Sequence, residues 1–390
     1  MRGLMSICRR LLVGLLLLLV PTAAAAVESL HAAQVSYLPM ATYAEVEQEF
    51  RRIRQAGFDT VILRVFQNPG DRFYPFATPR AAAGVYFVTG EAPVVDDILP
   101  KLIPRARAAG LRVFAWMNTL SLPVESPWDL RGRRYDLLRG EIVAGERLDP
   151  FHPEVRRRLL ALFRDLGRYD LDGILLQDDL VLRHTEGFSA AAMGGYSMAS
   201  GRFPDPVDFY ADRHPGSLQV RSYSPGFWDW ARWRNRMLLQ LAVDLRTAAR
   251  QTNPRVLMAI NLMYEALSNP QGALAWLAQD FEATRDAGFD YVAVMAYQRQ
   301  MAKELKVSPE TAVDLIRQMV RDGLARMPDA DALLVKVQAT DFDNRQPIPP
   351  AEWQAVAAAA RAAGATSLAV FPYHPANENP ASAGKAKERQ

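Results

Sequence analysis

Four times in this chain a helical pattern halts at a glycine and a short apolar run begins a few residues later. The joints are Ala56-Gly57-Phe58-Asp59, Ala109-Gly110-Leu111, Ala287-Gly288-Phe289-Asp290 and Ala363-Gly364-Ala365. Glycine at a helix end takes up the left-handed conformation that stops the helix. A short, continuously apolar run between helices reads as a strand buried on both faces of a parallel sheet. Marking every such run gives strands at Gln34–Leu38, Thr60–Val65, Arg112–Met117, Ile174–Leu176, Val256–Ile260, Tyr291–Met295, Leu333–Val337 and Ser367–Phe371. Helical patterns fall between them at Tyr43–Ala56, Asp96–Ala109, Pro153–Gly167, Ser224–Asn253, Gly272–Ala287, Ser308–Arg326 and Pro350–Ala363. Eight strands alternating with helices argue for the α/β class and a single-domain (β/α)8 TIM barrel rather than an open sheet.

The barrel is expected over residues 27–375. Ahead of it, Arg2, Arg9 and Arg10 precede the apolar block Leu11–Val20, then Pro21 and the small residues Thr22–Ala26. That order is the pattern of a secretory signal peptide over residues 1–26, and it predicts a periplasmic or secreted protein. Removing the leader takes the formal charge from +3 to about neutral, 43 basic against 43 acidic residues, which leaves no basic footprint for nucleic acid. The one cysteine, Cys8, lies in the leader, so no disulfide, thiol nucleophile or cysteine metal site is expected. Residues 376–390 read as a solvated, disordered tail.

In a barrel the strand carboxyl ends hold the site. The fourth strand ends on two adjacent carboxylates, Asp178 and Asp179, with His184 and Glu186 a few residues on. Asp172, which opens that strand, lies about 20 Å away at the other end and reads as a turn residue. Side chains alternate along a strand, so one acid of the pair should face inward. Asp178 is favoured as catalytic, with Asp179 and Glu186 assisting; which one donates the proton stays open. Past the other strands come Phe66, Trp116, Asn261, Tyr264, Tyr297, Gln338 and Tyr373, expected with His184 to bind substrate. Aromatic faces stack on sugar rings, amides bind hydroxyls, and two carboxyl groups supply acid with base or nucleophile. The stripe Trp228, Trp230 and Trp233 reads as helix packing, with Arg232 a candidate to reach the cleft. Neither paired histidine spacing, HExxH, a phosphate loop nor a GxSxG elbow occurs, so no metal or cofactor is expected.

These residues resemble a known family. Asp172-Gly173-Ile174-Leu175-Leu176-Gln177-Asp178-Asp179-Leu180-Val181-Leu182 resembles the Asp-Gly-Ile-Leu-Phe-His-Asp-Asp-Ala-Val-Leu pattern of the C-terminal glycoside hydrolase domain of PgaB-type proteins. Val113–Met117, Leu148–Val155, Trp230–Arg234, Asn261, Met295-Ala296 and Gln338-Ala339 are similar to the corresponding stretches, so the resemblance covers nearly the whole barrel. It implies an endo-acting glycoside hydrolase on partly deacetylated poly-β-1,6-N-acetylglucosamine, a biofilm exopolysaccharide, with Asp178 catalytic and Glu186 as the loop acid. It also implies partners in exopolysaccharide export or deacetylation. The chain departs from the pattern at Gln177, where the family has His, and at His184, where it has Asp. The deacetylase domain that usually precedes this barrel is not expected here. The alternatives are a non-catalytic polysaccharide-binding barrel that assists export, and a hydrolase of a different glycan.

Overall fold

The computed structural model describes residues 27–122, 130–210, 212, 218 and 220–375. The expected leader and tail lie outside these residues. Eight parallel strands close into a barrel in which each strand pairs with its sequence neighbour and the last returns to the first. They are β1 (His31–Val35), β2 (Thr60–Arg64), β3 (Arg112–Met117), β4 (Gly173–Leu176), β5 (Leu257–Met263), β6 (Tyr291–Ala296), β7 (Leu333–Gln338) and β8 (Ser367–Phe371). The expected (β/α)8 barrel is the observed one.

Alternation along the strands divides the apolar residues between two cores. Tyr291 and Ala293 of β6 and Leu334 of β7 join Phe114, Leu175, Ala259 and Ala369. Val292 and Val294, with Val335 and Val337, pack instead against Ile316, Met319, Val320 and Val356 of the outer helices. Each large aliphatic side chain removed from water in this way contributes about 1.5–3 kcal/mol.

Local chemistry explains the start of β4. Asp172 Oδ2 accepts the Val113 amide at 2.8 Å, and Arg107 reaches both Asp170 and Asp172. A Cβ at position 173 would run into the Phe114 ring, so only glycine lets β4 approach β3 here. Asp172 thus belongs to the amino-terminal end of the barrel, as its sequence position implies.

Two expectations are corrected. The first strand lies three residues earlier than expected, because the chain leaves the barrel after Val35 and Leu38 donates to the Phe73 carbonyl. The helix expected at Gly272–Ala287 is two helices, Pro270–Leu277 and Phe281–Asp286. Ala278 between them is left-handed (φ 51°) and Asp280 caps the second, which brings the Gln279 side chain onto the backbone of β5. The long connections after β2, β3 and β4 also carry structure of their own. Phe66–Gln67 pairs with Gly84–Val85, Arg131–Asp136 with Glu141–Leu148, and Ala190–Ser200 is helical. The longer hairpin is tied to the loop after β4, where Tyr135 donates to the Thr185 carbonyl and Gly187 to that of Arg133.

Candidate active site

The two adjacent acids at the end of β4 have different surroundings. Asp179 has both oxygens occupied: the Thr119 amide lies 3.0 and 2.9 Å away, the Thr119 hydroxyl 2.8 Å and the Ser121 amide 2.6 Å. Burial pushes its carboxyl up, against the pull of those donors. Asp178 is half-buried and accepts no hydrogen bond from any described residue. Its charge is felt below it. The Tyr297 hydroxyl, buried with no hydrogen-bond partner among the described residues, is held well above its usual range by burial and then by Asp178. Lys336, in the middle of β7 and 2% exposed, is pushed down to about 8 by burial while Asp178 acts in the opposite direction.

Glu186 lies in the loop after β4, where Oε2 accepts from Arg147 and from the Arg183 amide. Arg147 also donates to the Asp179 carbonyl at 3.0 Å, so one guanidinium from the hairpin binds both ends of the loop. His184 is buried, hydrogen-bonded to the Tyr223 hydroxyl at 2.9 Å and stacked on Trp276 at 4.2 Å. Burial, with Arg234 and Arg183 nearby, pushes it down to about 4, which keeps the imidazole neutral at ordinary pH.

Of the expected binding residues, several meet at the barrel mouth. Trp116 packs edge-on to Phe66 and Phe371, and its indole donates to Gln177 Oε1. Asn261 donates to the Leu176 carbonyl at 2.9 Å and accepts from Lys336 at the same distance. Tyr297 stacks on Phe371, and Phe342, 41% exposed, packs edge-on to it.

The other binding expectations are corrected. Tyr264 belongs to the outer apolar cluster and bonds Glu304. Tyr373 turns outward to Glu49 on the first helix and packs against Phe58. Gln338, by contrast, is 1% exposed and caps a helix through the Arg299 and Gln300 amides, yet it lines the groove beside β6 and β7. Tyr264 and Tyr373 lie beyond the last inward-facing position of their strands, where alternation no longer dictates direction. Arg232 pairs with Asp229 in solvent. It is Arg234 that turns inward, fully buried, to the Arg183 and Glu186 carbonyls at 2.8 Å.

Sequence reasoning passed over Lys336, Trp276, Phe342 and Arg147. A lysine within Leu-Leu-Val-Lys-Val-Gln and an aromatic within Asp341-Phe342-Asp343 were available signals. Trp276, 47% exposed on a short helix, carries none, since tryptophan among Ala and Leu reads as packing. Beside β6 and β7 a groove of about 470 Å³ is lined by Arg299, Gln300, Lys303, Glu304, Gln338, Asp341, Phe342 and Asp343. Among the described residues, no three His, Cys, Asp or Glu side chains gather into a metal-binding group.

The sequence pattern of hypothetical glycosyl hydrolase family 13 matches residues 39–371, most of the chain. The chain belongs to this family. Its fold is similar to that of the PgaB (BpsB) glycoside hydrolase domain from Bordetella bronchiseptica, with TM-score 0.70 and 24% identity over 91% of this chain and 98% of that one. It is also similar to the catalytic domain of β-amylase from Paenibacillus polymyxa, with TM-score 0.56 and 10% identity over 87% and 91% of the two chains. A β-galactosidase from Marinomonas ef1 aligns at TM-score 0.53 and 12% identity, over 88% of this chain and 54% of that chain. No curated protein matches the sequence. The family and the barrel make the protein a glycoside hydrolase by class, with a polysaccharide as the corresponding substrate type.

Proposed function

We propose that the protein is an exported or periplasmic endo-acting hydrolase of partly deacetylated poly-β-1,6-N-acetylglucosamine, with Asp178 as the acid at the scissile bond. The observation that carries this is the inequality within the Asp pair. Asp179 is consumed in holding the Thr119–Ser121 turn, whereas Asp178 lies at the strand end and accepts no hydrogen bond from any described residue. In this reading Asp178 gives its proton to the glycosidic oxygen as the C–O bond breaks, and later takes one from the water that completes hydrolysis.

The second requirement is a group that stabilises the developing positive charge at the anomeric carbon. Asp179 and Glu186 are both bound by protein donors, which favours the acetamido oxygen of the substrate itself as the internal nucleophile. Two carboxylates acting directly would instead stand about 5–5.5 Å apart for retention or about 6.5–9.5 Å for inversion. Trp276, stacked on His184, and Phe342 offer exposed aromatic faces on which sugar rings can lie.

The test is product analysis on a defined, partly deacetylated β-1,6 oligosaccharide, beside a β-1,4 chitin-type polymer and an α-glycan. The reading expects cleavage of the first alone, with N-acetylglucosamine at every new reducing end. Glucosamine at that end would reject the acetamide nucleophile. Cleavage only of another polymer would reject the substrate, and binding without any release would indicate a binding barrel.

A further inference from the structure

Gly173 and Leu175 of β4 face the barrel interior, the first against the Phe114 ring and the second within the inner core. Alternation carries Gln177 onto the same face, at the mouth and next to Asp178 in the chain. Trp116, level with Leu175 on the adjacent strand, donates its indole N–H to Gln177 Oε1. An indole nitrogen only donates, so this bond fixes which way round the carboxamide lies: oxygen to the indole, NH2 away from it. The NH2 carries two donors, and neither goes to any described residue. Gln177 is half-buried, so the group is within reach of the cleft. The other polar groups of this wall are engaged. Trp116, its N–H spent on Gln177, is packed edge-on to Phe66 and Phe371 at 5.5 and 5.3 Å. Arg64, with Cζ 5.4 Å from the Trp116 ring, donates to the Phe66 carbonyl at 3.1 Å and to Asp71 at 3.4 Å. A buried indole needs one acceptor, which Gln177 Oε1 supplies; packing gives no reason for the NH2.

We infer that Gln177 is a substrate-binding residue whose Nε2 donates to an uncharged acceptor oxygen, a hydroxyl or an acetamide carbonyl, of the sugar bound beside Asp178. The inference rests on the hydrolase reading above. With its oxygen taken by Trp116, the carboxamide offers donors and no lone pair, so it binds a sugar oxygen and not an ammonium. The indole holds it in the binding orientation before substrate arrives, which reduces the ordering cost of binding. The amide is also neutral, so it places no charge beside an acid that must carry a proton to act.

The test is a coupling cycle between protein and ligand. Binding of a β-1,6-linked N-acetylglucosamine tetrasaccharide is measured by calorimetry in the Asp178→Asn protein, to prevent turnover, with Gln177 intact or changed to Met. The pair of measurements is repeated with the 3-deoxy, 4-deoxy and de-N-acetylated tetrasaccharides. Gln177→Met should weaken the parent ligand about 3- to 10-fold, the size of a neutral hydrogen bond. For the ligand that lacks the accepting oxygen the loss should shrink to about twofold or less, and that ligand identifies the acceptor as hydroxyl or acetamide. Equal weakening of all four ligands would mean that Gln177 serves only to hold Trp116, and overturns the inference, as does no weakening at all. If Gln177→Met does not fold, the cycle is read on Gln177→Glu with the three uncharged ligands. That variant keeps an acceptor for the indole, and unchanged ratios among those ligands overturn the inference. If neither the wild type nor Asp178→Asn binds any of the four, the proposed substrate is rejected and the role of Gln177 with it; binding with equal weakening rejects that role alone.

Discussion

Asp178 and Asp179 are chemically identical neighbours, and the structure predicts opposite consequences for their removal. Asp179 serves three donors: the Thr119 amide, the Thr119 hydroxyl and the Ser121 amide. A hydrogen bond to a charged acceptor contributes about 1.5–3 kcal/mol net, and stranding buried donors adds their desolvation. Asp179→Ala leaves all three unmet and should cost about 3–5 kcal/mol. Asp179→Asn keeps one oxygen but turns an NH2 toward an N–H donor, so about 1.5–3 kcal/mol is expected. Asp178 accepts no hydrogen bond from any described residue, and Asp178→Asn should stay within about 1 kcal/mol. The assay is urea unfolding followed by near-UV circular dichroism and tryptophan fluorescence, with m compared across variants to confirm like transitions. If Asp178→Asn proves the more destabilising substitution, the division of labour argued here is wrong.

Lys336 carries a stability consequence of its own. Its ordinary value of 10.5 drops to about 8 on folding, so the folded state binds fewer protons than the unfolded state between these values. Stability should therefore rise with pH across that window, by up to about 3 kcal/mol, and Lys336→Met should be more stable than wild type at pH 7 and flat over the window. His184 falls from 6.5 to about 4 on folding, so its contribution is present above pH 6.5 and lost as pH falls to 4; His184→Phe should remove that acid-side slope in thermal unfolding. Trp276→Ala removes an exposed aromatic face and should raise KM for the polymer roughly 2- to 10-fold with kcat nearly unchanged; an unaltered KM would exclude the indole from substrate binding.

The barrel was legible because parallel strands buried on both faces leave continuous apolar runs, and glycine stops mark where each helix ends. Arg112–Met117 and Ser367–Phe371 were placed to the residue. His31–Val35 was not, since two alanines and a glutamine in a first strand carry little hydrophobic contrast. The Arg131–Asp136 and Glu141–Leu148 hairpin escaped because both its strands are rich in charge and exposed, so neither periodicity nor apolar run betrays it. At the site, the Asp pair stood out because carboxylates closing an apolar strand are costly there. Which of the two was free could not be read from the sequence, because it depends on Thr119 and Ser121, about sixty residues away. Tyr264 and Tyr373 misled for a related reason. Position just past a strand fixes the end of the barrel, but direction depends on partners such as Glu304 and Glu49.

Hydrolysis depends on Asp178, and one measurement reaches it directly: the rate of new reducing ends released from partly deacetylated poly-β-1,6-N-acetylglucosamine by the wild type and by Asp178→Asn at equal, verified fold. The expected result is hydrolysis by the wild type and a loss of about 100-fold or more in the variant, the size of a missing general acid. Equal release by the two proteins would contradict it.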